Sequence, residues 1–302
     1  MRFVELLFNH PFHTPSRDEY GLYSARAAAL RSADLSRQVG AVITNDDGDI
    51  LAVGCNEVPK AGGGSVWPGD RRDYRDFQVG TDKSAMMKQE IVAEVLERLR
   101  NAGWLSKEKA DTPTSKLVDE AIYGNAPILD NARIASIIEF GRIVHAEMAG
   151  IMDAVRRGIS VRGATLYCTT FPCHMCARHI MAAGVKRVVF IEPYPKSMAK
   201  DLYRRAIRVD EGTADQDAVA FDSFVGVAPR KYAEVFDMPR RKDARGNAFS
   251  WNAAQADPRL DRYVPTYLDL ERTISVYLLD HREEFGLSKS DEDTSKEDTK
   301  GA

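Results

Sequence analysis

Cysteine is scarce in this chain, four in 302 residues, and two of the four sit in a single C-x-x-C. That supply builds no disulfide framework, so the expected compartment is a reducing one, the cytoplasm. Long apolar runs are missing too. None approaches the roughly 20 residues that a membrane-spanning helix needs, which predicts no membrane partner. The opening "MRFVELLFNHPFHTPSRDEY" has no basic start, long apolar stretch or small-residue cleavage site, so no secretory signal is expected and the sequence reads as mature protein. Neither charge dominates: 42 Lys and Arg against 45 Asp and Glu leave a formal charge of −3, which argues against a dedicated polyanion binder and predicts no stable nucleic-acid partner. The glycine triplet at 62–64 lacks the lysine and serine of a phosphate loop, which leaves a Walker-type site without support. No internal repeat is present. The last twenty residues, "EEFGLSKSDEDTSKEDTKGA", nearly lack large apolar groups, and 286–302 is expected to be a disordered tail.

What the chain does contain is H-A-E at His145 to Glu147, followed by P-C-H-M-C with Cys173 and Cys176. Two thiolates and a neutral imidazole suit one Zn2+ ion. Three protein ligands, rather than the four of a structural site, leave a position where the metal can lower the pKa of a water to roughly 7. Glu147 stands beside the ligands without being one of them. Its carboxylate can take a proton from that water and pass protons to a ring nitrogen and a departing amine, the general acid and base work that deamination of an aminopyrimidine demands. H-x-E with P-C-x-x-C is the signature of the zinc nucleobase deaminases. A lone C-x-x-C also suits a redox pair or a closed structural zinc site, but the H-x-E partner argues against both. His174, between the cysteines, is expected to face solvent. Cys55 and Cys168 lie in or beside apolar β-type runs and read as small core residues.

The flanking pattern predicts an α/β architecture. Residues 18–38 predict a helix with Tyr23, Ala27, Leu30 and Leu35 on one face, and "VGAVITNDDGDILAVGCNEV" predicts a β-hairpin turning at "NDDGD". Met148, Ile151, Met152 and Val155 recur at helical spacing after His145, so that helix starts at the ligand and ends at Gly158. A strand at Ala164–Thr170 should lead through Phe171-Pro172 into a helix carrying both cysteines and closing at Gly184, with "VKRVVFIE" as a further strand. Ligands at two helix starts gain from free N–H groups and the positive dipole end. A helix near 198–207 and a β-type run at 218–225 follow. The order predicts one domain over 1–285: a core at about 18–60 and 140–235, an insertion at about 61–140, and a C-terminal extension at 236–285. The insertion carries a predicted helix, Lys83–Asn101, with Ile91, Val92, Val95, Leu96 and Leu99 on one side. It begins where the pocket-facing strand ends and contains Trp67, Tyr74 and flexible glycines, so it reads either as a plain loop or as a lid.

"LRSADLSRQVGAVI", "VGCNEVP", "HAEM" and "TTFPCHMCARHIMAAGVKRVVFIEPYPKS" together resemble the deoxycytidylate deaminase branch of the cytidine deaminase-like superfamily over residues 20–60 and 140–200. The longer string through "CNEVPKAGGG" and "YRDF" to "FVGVAPRKY" is similar to the deaminase half of bacterial anti-phage deoxycytidine nucleotide deaminases. The resemblance implies a three-layer α/β/α sandwich with a mixed central sheet and a long, largely helical insertion. It implies conversion of dCMP or dCTP to the deoxyuridine nucleotide, draining the cytosine deoxynucleotide pool during infection. A free nucleotide is the expected partner, and a homo-oligomer the expected assembly. Relatives of the defence type carry a P-loop kinase-like domain that these 302 residues do not contain, which fits a stand-alone form or a fragment and leaves RNA-based regulation resting on resemblance alone.

Residue by residue, the resemblance places Asn56 at the sugar 3′-hydroxyl, Ala146 and Pro172 along the base pocket, Arg37 and Lys60 near the phosphate, and Tyr194 beside the nucleotide. Two other readings stay open: a deaminase of another base or of a polynucleotide, and a non-catalytic zinc-stabilised module. tRNA adenosine deaminases share HAE and PCxMC but read Glu-Pro-Cys where this chain has Phe171-Pro172-Cys173, and the presence of Glu147 weighs against a non-catalytic module.

Overall fold

Alternation along the strands decides which helix lies on which side of the sheet. In the computed structural model, which describes residues 1–137, 140–211, 217–259 and 266–281, the strands are β1 Gly40–Thr44, β2 Ile50–Cys55, β3 Thr165–Thr170, β4 Arg187–Glu192, β5 Ile207–Val209 and β6 Val219–Ser223. They form one sheet in the order β2-β1-β3-β4-β6-β5. β1 is antiparallel to β2 and β3, whereas β3, β4, β6 and β5 run parallel, so the sheet is mixed. Along the chain the helices are α1 Arg2–Leu7, α2 Arg17–Ala29, α3 Asp76–Val79, α4 Lys83–Asn101, α5 Lys107–Ala110, α6 Thr114–Ile122, α7 Ala146–Arg156, α8 His174–Ala182, α9 Ala199–Leu202, α10 Tyr232–Phe236 and α11 Tyr267–Asp280.

Ala41, Ile43, Leu166, Cys168, Val188 and Phe190 bury one face against Ile151 and Ala154 of α7 and Cys176, Ala177 and Ile180 of α8. The residues between them, Val42, Tyr167 and Val189, face the other way onto Leu22 and Ala25 of α2. This is the expected three-layer α/β/α sandwich. The hairpin forms as its turn residues predict, closed by Asn45 N–H to Asp49 O at 3.1 Å with Gly48 at φ 93°.

Three elements differ from the sequence reading. The helix expected to reach residue 38 stops at Ala29, and its buried side is Leu22, Ala25 and Ala29, leaving Leu30 and Leu35 exposed. The chain leaves the helix because its polar groups find partners on the end of β2: Ser32 Oγ donates to Asn56 O at 2.7 Å, and Ala33 N–H donates to the Glu57 carboxylate at 3.0 Å. On α7, Met152 and Val155 are exposed. The buried side is Ala146, Gly150, Ile151 and Ala154, because the sheet takes the small residues that permit close approach. The stretch expected as one helix near 198–207 is a single turn, α9, that gives way to β5.

The long insertion leaves and rejoins the core at one point. Glu57 and Val144 exchange both backbone hydrogen bonds, at 3.1 and 3.2 Å. Inside it, α4 and α6 bury Val92, Val118 and Ala121 against Leu96, Ile122, Leu129 and Ile134, a small core of their own. All of this lies within one compact unit, Phe12–Phe249. The first eleven residues and the described residues from Ser250 onward form a second unit, in which Trp251 Nε1–H donates to Phe8 O at 2.8 Å and Arg259 N–H to Leu7 O at 2.7 Å. The extension expected over 236–285 thus divides at residue 250, and the tail expected at 286–302 lies outside the described residues.

Two glycines let the helices press onto the hairpin. A Cβ on Gly54 would sit 2.1 Å from Ala146 O and 2.3 Å from Gly150 N, and one on Gly40 would sit 2.0 Å from Ala25 O. Gly54→Ala should therefore lift α7 off β2 and cost about 1–3 kcal/mol, the usual range for overpacking, as read from denaturant midpoints. A variant as stable as the parent protein would refute this contact.

Candidate metal centre and active site

His145 and Cys173 hold the same position at two different helices. Each is the N-cap residue with extended backbone, ψ 153° for His145 and 166° for Cys173, so each side chain projects from a helix start rather than lying along its flank. The His145 ring makes no capping hydrogen bond. Cys173 Sγ accepts from Cys176 N–H at 3.4 Å, which fixes the thiolate over the first turn of α8. The two helix starts converge: His145 Nδ1 lies 3.3 Å from Cys173 Sγ and 3.4 Å from Cys176 Sγ, and the three donor atoms fall within 4.8 Å of one another. Bonds of about 2.0–2.1 Å to nitrogen and 2.3 Å to sulfur at tetrahedral angles put donors roughly 3.5 Å apart, so this set fits zinc. Among the described residues it is the group of His, Cys, Asp and Glu side chains that could hold a metal ion.

The electrostatics of the cluster belong to the pair of sulfurs rather than to either one. Cys173 is pushed well below the ordinary thiol range because the Cys176 thiol and His145 both hydrogen-bond to it, while Cys176, the donor, is pushed up. The His145 imidazole is raised in turn, chiefly by its hydrogen bond with Cys173. A metal cation here would displace these protons and hold both sulfurs as thiolates.

Glu147 is buried, 4% exposed, in the first turn of α7. Burial pushes its carboxyl up, and the charge of the neighbouring Cys173 sulfur adds to the push. It lines the same cavity as His145 and Cys173 without joining the donor set. That cavity measures about 250 Å³.

The other residues named from the sequence divide. Asn56, Ala146, Arg37 and Tyr194 all line the cavity, with the Arg37 guanidinium 5.5 Å from the Tyr194 ring centre and 3.9 Å from Glu192. Pro172 is buried beside it, its carbonyl accepting from Ser197 Oγ at 2.8 Å. Lys60 stands elsewhere: it pairs with Asp70 at 2.9 Å and lines a second cavity with Arg31 and Arg156. His174, expected to face solvent, is half-buried, and its Nδ1 is shielded from water with no hydrogen-bond partner. The insertion aromatics do not line the main cavity: Trp67 lies under Arg31 at 3.6 Å, and Tyr74 bonds back to the loop through Ala61 N–H and Pro59 O. The insertion reaches the cavity instead through Ser84, at the start of α4, and Gly141 near its end. Sequence reasoning missed Ser84 and also Asp34, whose carboxylate faces Asn56. Asp34 lies inside "SADLSRQ", where a polar loop offers no period to single it out.

The family description "Cytidine and deoxycytidylate deaminase zinc-binding region" matches residues 15–192. The deoxycytidylate deaminase of Enterobacteria phage T2 is 44% identical over 54 residues, 18% of this chain, so the similarity spans only 29% of that enzyme's length. The deoxycytidylate deaminase of Pongo abelii is 26% identical over 214 residues, 71% of this chain and 78% of that one. Among solved structures, the dCMP deaminase from the cyanophage S-TIM5 in complex with dCMP and dUMP aligns over 70% of this chain and 100% of its own at 18% identity, with a TM-score of 0.38. Because the family match runs from residue 15 to residue 192, more than half of the chain and through both ligand motifs, this protein belongs to the cytidine and deoxycytidylate deaminase zinc-binding family.

Proposed function

We propose that this chain is a zinc-dependent deaminase of free deoxycytidine nucleotides, converting dCMP or dCTP and water to the deoxyuridine nucleotide and ammonia. The observation that carries the reading is the convergence of His145, Cys173 and Cys176 on one point of a cavity that also contains the buried carboxyl of Glu147. His145, Cys173 and Cys176 would hold the zinc, which when bound lowers the pKa of a water in its open position. Glu147 does the proton work. Its carboxylate takes a proton from the attacking water, delivers it to ring N3 as C4 is attacked, and carries the next proton to the departing amine. Burial suits this role, since a carboxyl raised above its ordinary range accepts and returns protons closer to neutral pH.

The remaining residues bind. Ala146, fully buried, offers only backbone and a methyl group to the base, and Pro172 turns the chain from β3 into α8. Asn56 takes the sugar 3′-hydroxyl, while Arg37 and Tyr194 stand at the rim for the phosphate. A guanidinium pairs well with phosphate oxygens, and its ion pair with Glu192 is long and exposed enough to give way. Lys60 would reach a phosphate only by leaving Asp70. Turnover of this kind removes cytosine deoxynucleotides from the pool, and resemblance to the anti-phage deaminases supports a role in starving phage replication.

Two outcomes are expected. Ammonia release should be seen with dCMP or dCTP and not with a single-stranded oligonucleotide, and Glu147→Gln should lower it by about 10³-fold with zinc content unchanged, in line with loss of a general acid and base. Equal activity on the oligonucleotide would favour a polynucleotide substrate and overturn this reading. Zinc uptake should release protons, and Cys173→Ala should abolish stoichiometric zinc measured by atomic emission. Unchanged zinc in that variant would overturn the ligand assignment.

A further inference from the structure

Between the end of β3 and the start of α8 the chain crosses on Phe171 and Pro172, and Cys173 follows at once as the N-cap of α8. Two hydrogen bonds pin this crossing to the segment around β4. Phe171 N–H donates to Glu192 O at 2.8 Å, a backbone bond that extends the sheet. Pro172 O accepts from Ser197 Oγ at 2.8 Å, and that bond is made by a side chain. Proline has no N–H, so its carbonyl is the polar group by which Pro172 can be held.

Ser197 is itself fixed. Its N–H donates to Tyr194 O at 2.9 Å, closing a turn just past β4, and its Oγ accepts from Ala199 N–H at 3.3 Å at the start of α9. An amide N–H can only donate and a carbonyl can only accept, so the hydroxyl proton goes to Pro172 O.

The Pro172 ring locks its own φ, which leaves the Pro172–Cys173 peptide to turn about ψ of Pro172 and φ of Cys173. The adjoining backbone bonds do not set that plane. Phe171 N–H lies before it, and Cys173 O, which accepts from Ala177 N–H at 2.9 Å, lies after it. Cys176 N–H holds the Cys173 sulfur to α8, and Ser197 holds the chain on the other side of Cys173. A turn of the peptide between them moves that sulfur relative to His145 Nδ1, which stands 3.3 Å away.

We propose that Ser197 is a positioning residue for the metal centre: its hydroxyl holds the Pro172–Cys173 peptide so that the Cys173 sulfur faces His145 and Cys176, and the affinity of the site for zinc depends on it. This rests on the zinc reading above and deepens it by naming what holds one ligand in place from outside the ligand motif.

The test is the zinc dissociation constant of the full chain, read by competition with a chromophoric chelator. Ser197→Ala should weaken zinc binding about 10-fold, the size of effect seen when a partner that orients a metal ligand is removed. Ser197→Thr keeps the hydroxyl and Ser197→Val has the same shape without it, so the Val form should bind zinc about 10-fold more weakly than the Thr form. This pair decides the matter if the Ala form fails to fold. Urea unfolding with and without zinc separates positioning from plain stability, since a merely structural role lowers both forms equally and leaves the zinc affinity unchanged. Equal affinity in the parent and Ala forms, or in the Thr and Val forms, overturns the proposal while the ligand assignment stands. A parent chain that takes up no zinc overturns the ligand assignment and this inference with it.

Discussion

The contact on which the site depends is made by an absent side chain. At Gly54 the backbone of β2 comes so close to the first turn of α7 that a single added carbon would meet Ala146 O and Gly150 N. His145 and Glu147 flank Ala146, so the height of α7 above the sheet sets where both side chains stand. The other half of the centre hangs from β3, which runs next to β1 and delivers Pro172 and Cys173 at its carboxyl end. One sheet therefore positions two helix starts that are far apart in sequence. Ligand sites in open α/β sheets gather outside the carboxyl ends of parallel strands, and the junction of β1 with the parallel block β3-β4-β6-β5 is where this one gathers.

Convergence of two helix starts has an electrostatic consequence. Each start brings unpaired N–H groups and a partial positive charge, which favours thiolate at Cys173 and, with a cation present, at Cys176 as well. Glu147 shares the first turn of α7 but is buried, and that burial raises its carboxyl instead. The same few ångströms thus hold groups pushed in opposite directions, the Cys173 sulfur toward the anion and the Glu147 carboxyl toward the acid. A cysteine ligand has to be anionic and a proton shuttle must change state, so the separation suits the division of labour proposed for Cys173 and Glu147.

The parts of the molecule that repeat a period or spell a motif were legible in the sequence. The β-hairpin, the strands flanking P-C-x-x-C and the start of α7 all follow from alternation, turn residues and the ligand motif. The end of α2 was not legible, because Leu30 and Leu35 continue an apolar pattern that the fold leaves exposed while Ser32 and Ala33 bond to the end of β2. The buried side of α7 was misjudged for a related reason. Large apolar residues attract the eye, but close approach to Gly54 selects alanine and glycine. In the site, the grouping of His145, Cys173 and Cys176 with Glu147 beside them was legible because the chemistry of the motif restricts their residue types. Asp34 and Ser84 were not, since a loop aspartate and a serine at a helix start have common local roles, and only the folded chain brings them to one cavity.

The insertion shows how such a site can be varied without disturbing the core. Its two ends are tied together by the Glu57–Val144 bridge, and the Glu57 carboxylate is itself held by Ala33 and Val58 N–H groups, so the core sees a closed loop whatever lies between. Arg142 then ties the returning strand of the loop to its outgoing one through Asp76 and Tyr74 O, each at 2.7 Å, immediately beside Gly141 at the cavity rim. His145, Glu147, Cys173, Cys176 and Asn56 belong to the layer of strands and helix starts, whereas Ser84 and Gly141 reach the cavity from the insertion. Part of the cavity wall is thereby supplied by a segment with its own small core around Val92 and Val118. Changes in that segment can reshape the rim while the distances among His145, Cys173 and Cys176 stay set by β2, β3 and the close approach of α7 that Gly54 permits.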